Sequence, residues 1–91
     1  MPIRFSLPTV LSRLADGQTS VECQGGTIGE IVEQVARRFP RLASRLRDEA
    51  GEPYRFVTFY LNDEDIRFRG GFGAAVKDGD EVTVVAAIAG G

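Results

Sequence analysis

The chain of 91 residues contains no histidine, a single cysteine (Cys23) and a single lysine (Lys77). Without histidine, neither a Ser-His nor a Cys-His nucleophile pair can be built, and a His-ligated metal site is excluded. One cysteine rules out an internal disulfide and a cysteine-based metal cluster. No apolar run approaches the roughly 20 residues that a membrane helix needs. The opening Met1-Pro2-Ile3-Arg4-Phe5 lacks the apolar region of a signal peptide, so the expected location is the cytoplasm. Positive charge is not in excess either: 11 basic residues against 13 acidic ones leave a net charge of −2 and a pI near 5.0. Nucleic acid is therefore not the expected main partner, because phosphate binding calls for a basic face. Together these absences point away from a self-sufficient enzyme.

What is present reads as one small globular domain, with 43% hydrophobic and 26% charged residues. Ile3, Phe5 and Leu7 alternate with Arg4 and Ser6, which predicts a half-buried strand limited by Pro8. Asp16-Gly17 signals a turn, and Val21 and Cys23 share one face of a second strand. Gly25-Gly26 breaks the chain. Thr27 with Glu30 three residues on forms a capping box. Ile28, Ile31, Val32, Val35, Ala36 and Phe39 then follow at helical spacing. Gly29 weakens the first turn, Arg37 and Arg38 suit the negative helix end, and Pro40 stops the helix.

Leu42, Ala43 and Leu46 suggest a short second helix. Residues 54–61 form the strongest predicted strand, rich in aromatic and β-branched residues. Asn62-Asp63 offers a turn, Ile66 and Phe68 begin a short fourth strand, and Asp78-Gly79 turns into a last strand, 81–86. One main helix must cover one face of a mixed sheet of four to five strands. The expected fold class is α+β, a β-grasp (ubiquitin-like) roll over residues 1–86, followed by a flexible tail, 87–91.

The tail, Ala87-Ile88-Ala89-Gly90-Gly91, carries no charge, proline or bulky aromatic. Glycine has no Cβ, so this backbone can enter a narrow channel. A C-terminal carboxylate is ionised at pH 7 and attacks the α-phosphorus of ATP only where a partner aligns the two. The bland alternative is a frayed terminus that happens to end in glycine.

The Asn62 turn after Phe56–Leu61, the Asp78-Gly79-Asp80-Glu81-Val82 entry to the last strand and the Ala89-Gly90-Gly91 end carry a family resemblance. Over essentially its whole length the sequence resembles the ThiS/MoaD group of prokaryotic ubiquitin-like sulfur carriers. Arg55-Phe56-Val57 and the run from Tyr60 to Phe68 look like the subgroup that supplies sulfur to a PLP-dependent cysteine synthase. The resemblance implies a sulfur carrier, not an enzyme. An E1-like enzyme using ATP and Mg²⁺ would adenylate Gly91, and a sulfur donor would convert it to a thiocarboxylate. That sulfur would pass to a biosynthetic enzyme, such as the cysteine synthase, a thiosugar synthase or molybdopterin synthase. Gly90 and Gly91 would be the sulfur-carrying end, Ala89 and Ile88 the threading segment. No bound cofactor, metal ligand or catalytic residue is expected, and the free chain is expected to be monomeric. The uncharged Ala86-Ala87-Ile88-Ala89 departs from the arginine-bearing tail of ubiquitin, which argues against protein tagging.

The resemblance also places Val57, Phe59 and Leu61 in the core, leaving Phe56 and Tyr60 on an open face with Thr83 and Val85. An exposed apolar patch with aromatics marks a partner interface; the alternative is that residues 42–46 or 72–76 cover it. Cys23 reads as a small core hydrophobe. Arg37, Arg38, Arg41, Arg45 and Arg47 read as a solvated helix end, with docking of an acidic partner as the alternative. Asp63, Glu64 and Asp65 cannot all converge on one ion from an extended turn. A β-grasp docking module and an isopeptide-forming modifier are the rival functions.

Overall fold

The computed structural model describes residues 2–86. Met1 and the expected tail, with Ile88, Ala89, Gly90 and Gly91, lie outside the described residues. Strand β1 (Ile3–Ser6) alternates as predicted, with Ile3 and Phe5 fully buried. Strand β2 (Ser20–Cys23) pairs with it antiparallel, Phe5 opposite Val21.

Between them the chain is not a simple loop. A four-residue helix, α1 (Thr9–Ser12), runs into a 3-10 turn over Arg13–Ala15. Leu11 and Ala15 from this piece are buried in the core. Asp16 and Gly17 then reverse the chain at φ 54° and 82°, and the Gly17 N–H closes the end on Ser12 O at 2.8 Å. Two turns are too short to establish a helical period by themselves, so only burial of Leu11 and Ala15 fixes this segment.

A two-residue strand, β3 (Gly26–Thr27), leads into α2 (Ile28–Arg38). The capping box is complete: the Glu30 N–H donates to Thr27 Oγ1 at 3.2 Å, and the Thr27 N–H donates to Glu30 Oε1 at 2.8 Å. Ile28, Ile31, Val32 and Val35 are fully buried. Gly29 has a packing role that helix propensity does not show. A Cβ there would stand 3.3 Å from Phe72 O, so its absence lets the turn at Gly71–Gly73 lie against the helix. Pro40 opens a 3-10 turn to Leu42, and α3 (Ala43–Leu46) follows, Leu42 and Leu46 being fully buried.

Strand β4 covers Val57–Leu61, shorter than the predicted 54–61. Its expected first residues are diverted: the Tyr54 N–H donates to Leu46 O at 3.0 Å, and the Val57 N–H folds back on Tyr54 O at 3.1 Å. Asn62 and Asp63, at φ 49° and 70°, form the two-residue turn into β5 (Glu64–Asp65). The fourth strand was expected at Ile66 and Phe68; those residues form a 3-10 turn instead. The Asp65 carboxylate accepts the Arg67 N–H at 2.9 Å and starts that turn, so Ile66 is buried and Phe68 is 79% exposed. A small strand, β6 (Ala75–Val76), pairs with β3, and β7 (Glu81–Ala86) completes the main sheet.

The sheet order is β2-β1-β7-β4-β5. Strands β1 and β7 are parallel neighbours at its centre, and the other pairs are antiparallel. Helix α2 provides the crossover that a parallel pair requires. Its apolar stripe joins the inward residues of β1, β2, β4 and β7 in one core. This is the expected β-grasp roll.

Candidate functional site

All the helical pieces that feed the core lie on one face of the sheet. The Phe72 ring meets Phe59 edge-to-face, with centroids 5.2 Å apart, on that inner side. Leu42 and Leu46 are buried there too. Neither segment that could have covered the opposite face does so.

On the outer face, β7 directs Glu81, Thr83 and Val85 outward, while Val82 and Val84 point into the core. Strand β4 is registered so that Tyr60 stands opposite Thr83 and Thr58 opposite Val85. Residues directly opposite in an antiparallel pair share a face and touch. Val85 is 47% and Phe56 42% exposed, and Tyr60 and Thr83 are half-buried. Tyr60, Thr83 and Val85 therefore share the outer face of the β4–β7 pair, while Phe56 is exposed in the turn before β4.

This face is graded along the strands. At the start of β7, Arg4 faces Glu22 and Glu81 across the ladder, and Ser6 Oγ donates to Glu81 Oε2 at 2.8 Å. Toward its end the outward residues carry no charge: Thr83 opposite Tyr60, then Val85 opposite Thr58. Ala86, opposite Val57, is the last residue of the ladder. This uncharged end is thus the end from which residues 87–91 continue.

Four further side chains lie beside these residues. Tyr54 packs edge-on to Phe56 at 5.5 Å, and the Arg55 guanidinium lies over the Phe56 ring at 4.8 Å. Asp65, opposite Tyr60, is held by Arg67 through Nη2–Oδ2 at 2.6 Å. The Arg67 side chain, and then its backbone N–H, hold the Asp65 carboxyl below its ordinary pKa. A cleft of about 390 Å³ opens between Pro53, Tyr54, Arg55, Thr58, Ile66 and Arg67. Sequence reading missed Tyr54, Arg55 and Arg67 as neighbours of this face. The alternation Tyr54-Arg55-Phe56 was the available signal, since arginine stacks readily on aromatic faces.

The remaining candidates lie elsewhere. Cys23 is 3% exposed on the inner side of β2, and burial pushes its thiol pKa up. Among Asp63, Glu64 and Asp65, Glu64 pairs with Arg69 at 2.6 Å and Asp65 with Arg67. Among the described residues no group of three or more His, Cys, Asp or Glu could hold a metal ion. Of the arginine run, Arg47 pairs with Glu33 and Arg38 Nη1 donates to Glu22 O at 3.2 Å. Arg37, Arg41 and Arg45 are exposed. No helix among the described residues is long and apolar enough to cross a membrane.

Residues 6–91 match the ThiS family. The chain belongs to the ThiS family. This ThiS-family chain is 41% identical, over 93 residues covering all of both proteins, to the sulfur carrier protein CysO of Mycobacterium tuberculosis. A chain of the crystal structure of the Amycolatopsis orientalis BexX/CysO complex superposes with a TM-score of 0.90 at 44% identity, covering 98% of this chain and 99% of that one. The crystal structure of Mycobacterium tuberculosis CysO gives a TM-score of 0.86 at 39% identity, over 94% and 99% of the two chains. At 24% identity, SAMP1 from Haloferax volcanii shares the ubiquitin-like fold, with a TM-score of 0.83 over the whole of both chains.

Proposed function

We propose that this chain is a sulfur carrier. Its Gly91 carboxylate is adenylated by an E1-like enzyme with ATP and Mg²⁺ and converted to a thiocarboxylate, and the sulfur is then given to a biosynthetic enzyme. The observation that carries this reading is the full-length 41% identity to a named sulfur carrier, in a family match that runs through Gly91. The fold is consistent with it. The proposed interface takes in Tyr60, Thr83 and Val85 on the outer face of β4 and β7, with Phe56 from the turn before β4, and β7 leads into residues 87–91. A partner seated there receives the carboxylate without help from any acid or base on the carrier. Ala89 and Ile88 then thread the channel, and Gly90 lets the backbone pass its narrowest part.

The acceptor best matched to the relatives is a PLP-dependent cysteine synthase; a thiosugar or other biosynthetic synthase is the next candidate. The Amycolatopsis relative was crystallised in complex with BexX, which supports engagement of a partner by this fold.

Intact mass after incubation with an E1-like enzyme, ATP, Mg²⁺ and sulfide tests the proposal. Exchange of one carboxylate oxygen for sulfur adds about 16 Da, close to a single oxidation of Met1 or Cys23, so thiol-selective alkylation and a Gly91-deleted control accompany it. A shift that needs ATP and maps to Gly91 is the expected result. The absence of any ATP-dependent shift would overturn the reading.

A further inference from the structure

An acyl adenylate at Gly91, the intermediate of the reading just given, reacts with any competent nucleophile that reaches it. The side chains that attack acyl carbons most readily near neutral pH are the cysteine thiolate, histidine and the lysine amine; hydroxyls need an adjacent base. This chain has no histidine, one cysteine and one lysine. Cys23 is 3% exposed and sits on the inner face of β2. Its burial keeps the sulfur a protonated thiol as well as covering it.

Lys77 is exposed but stands at the opposite end of β7 from Ala86. It is fixed in the turn before that strand, its N–H donating to Asp80 Oδ2 at 3.0 Å and its carbonyl accepting the Asp80 N–H at 3.0 Å. From Glu81 to Ala86, β7 advances about 17 Å, and the residues from 87 to 91 extend at most about 17 Å. Only a fully extended terminus doubled back along the strand comes level with Glu81. Reaction within one chain therefore disfavours Lys77.

Every other cationic side chain is arginine, although lysine is ordinarily among the commonest residues. A guanidinium stays protonated at neutral pH and is not a nucleophile. Arg55, close in sequence to the strand that pairs with the end of β7, shows the consequence. Arg55 is exposed and lies two residues before Val57, the partner of Ala86. Over a tether this short, an amine in its place would be presented to Gly91 at an effective concentration on the order of millimolar.

We infer that the surface of this chain is built without internal acyl acceptors near its C-terminal end, arginine standing where lysine would self-acylate, so that the activated Gly91 is kept for an external sulfur nucleophile. The reaction thereby avoided is an ordinary aminolysis. A neutral lysine amine adds to the Gly91 acyl carbon and a C–N bond forms. The C–O bond to the AMP phosphate breaks, AMP leaves with the electron pair, and the amine loses a proton to water. The product is a cyclic amide one water lighter than the free-acid chain.

The test moves the single lysine. Wild type, Lys77→Arg and the double variant Arg55→Lys/Lys77→Arg are each incubated with the activating enzyme, ATP and Mg²⁺ in the absence of sulfide. Adenylation is followed by pyrophosphate release and products by intact mass. Wild type and Lys77→Arg should release pyrophosphate at the same rate and give adenylate and free acid only. The double variant should accumulate the species lighter by one water at least ten-fold above the wild-type background, with the amide mapped between position 55 and Gly91. Should the double variant not be adenylated, Glu52→Lys/Lys77→Arg places the amine on the same exposed loop and replaces it. Normal adenylation with no cyclic species from these variants overturns the inference. Loss of pyrophosphate release in the wild type itself sinks the carrier reading on which it rests, an outcome distinguishable from the former.

Discussion

The side-chain amide of Asn62 bridges to Asp80 across the sheet, its Nδ2 donating to Asp80 Oδ1 at 3.0 Å. Its Oδ1 accepts the Glu81 N–H at 2.9 Å, and its own backbone N–H donates to Glu81 O at 2.9 Å. One residue in a left-handed turn, at φ 49°, thus ties the β4–β5 hairpin to the entry of β7. Asp80 completes the lock by accepting the Lys77 N–H at 3.0 Å. Replacing Asn62 by alanine removes two side-chain hydrogen bonds and puts a poorer residue in left-handed backbone, an expected loss of about 2 kcal/mol. Asn62→Gly keeps the backbone freedom and loses only the bonds, so it should cost less, about 1 kcal/mol. Urea unfolding of the two variants measures both.

The same lock gives a pH dependence. The Lys77 N–H first, then the Asn62 amide, hold the Asp80 carboxyl below its ordinary pKa. The side-chain bond from Arg47 does the same for Glu33, and Arg67 for Asp65. A carboxyl whose pKa is lower folded than unfolded stabilises the fold above its unfolded pKa. That contribution is lost as pH falls through the folded value. Stability should therefore be flat near neutrality and decline below about pH 5. Asp80→Asn should lower stability at pH 7 and make the acid decline shallower. An acid decline as steep as that of the wild type would show that Asp80 takes no part.

The outer face should be separable from folding. Val85 is 47% exposed and contacts its neighbours only across one side of the ladder. Val85→Arg should change stability by less than about 1 kcal/mol. If this surface seats the activating enzyme, the same change should raise KM for the carrier by about ten-fold or more, with kcat unchanged. Thermal melts and steady-state pyrophosphate release measure the two effects. An unaltered KM would move the interface elsewhere.

At the start of α2, Thr27→Ala should cost about 1 kcal/mol by removing the cap acceptor. Gly26 lies at φ 148°, and a Cβ there would stand 2.6 Å from Glu30 Oε1. Gly26→Ala should therefore push the Glu30 carboxylate out of the capping box and strain the backbone, at about 1–2 kcal/mol. Both changes dismantle one box, so the double variant should lose less than the sum of the single losses. Full additivity in denaturant unfolding would show that Gly26 acts independently of the cap.

Cys23 offers a probe of opening. A thiol 3% exposed, with its pKa raised by burial, should react with a thiol-selective reagent only as the domain unfolds, and its rate should rise with urea in step with the unfolded fraction. Cys23→Ser should be less stable than Cys23→Ala, because it buries a hydroxyl in an apolar setting. Fast labelling under native conditions would contradict the burial.

The amino-acid sequence by itself determined the parts whose signals are local. The capping box at Thr27 and Glu30 is read from a spacing of three. The α2 stripe from Ile28 to Ala36 is read from its period. The hairpin turn at Asn62-Asp63 follows from residue types that tolerate positive φ, and the absence of histidine and the scarcity of cysteine and lysine were complete in the composition. Tertiary structure decided what depends on which surfaces meet. It turned residues 9–15 into helix, because Leu11 and Ala15 fill a gap in the core that no short period announces. It delayed the start of β4 to Val57 by tying Tyr54 to Leu46, and it replaced the expected strand at Ile66–Phe68 by a turn held on Asp65. It also explained Gly29, whose missing Cβ makes room for Phe72, and among the described residues it sent the helical segments that feed the core to one face of the sheet. Backbone conformation follows from neighbours along the chain; exposure depends on residues far apart in it, and only the packed fold brings those together.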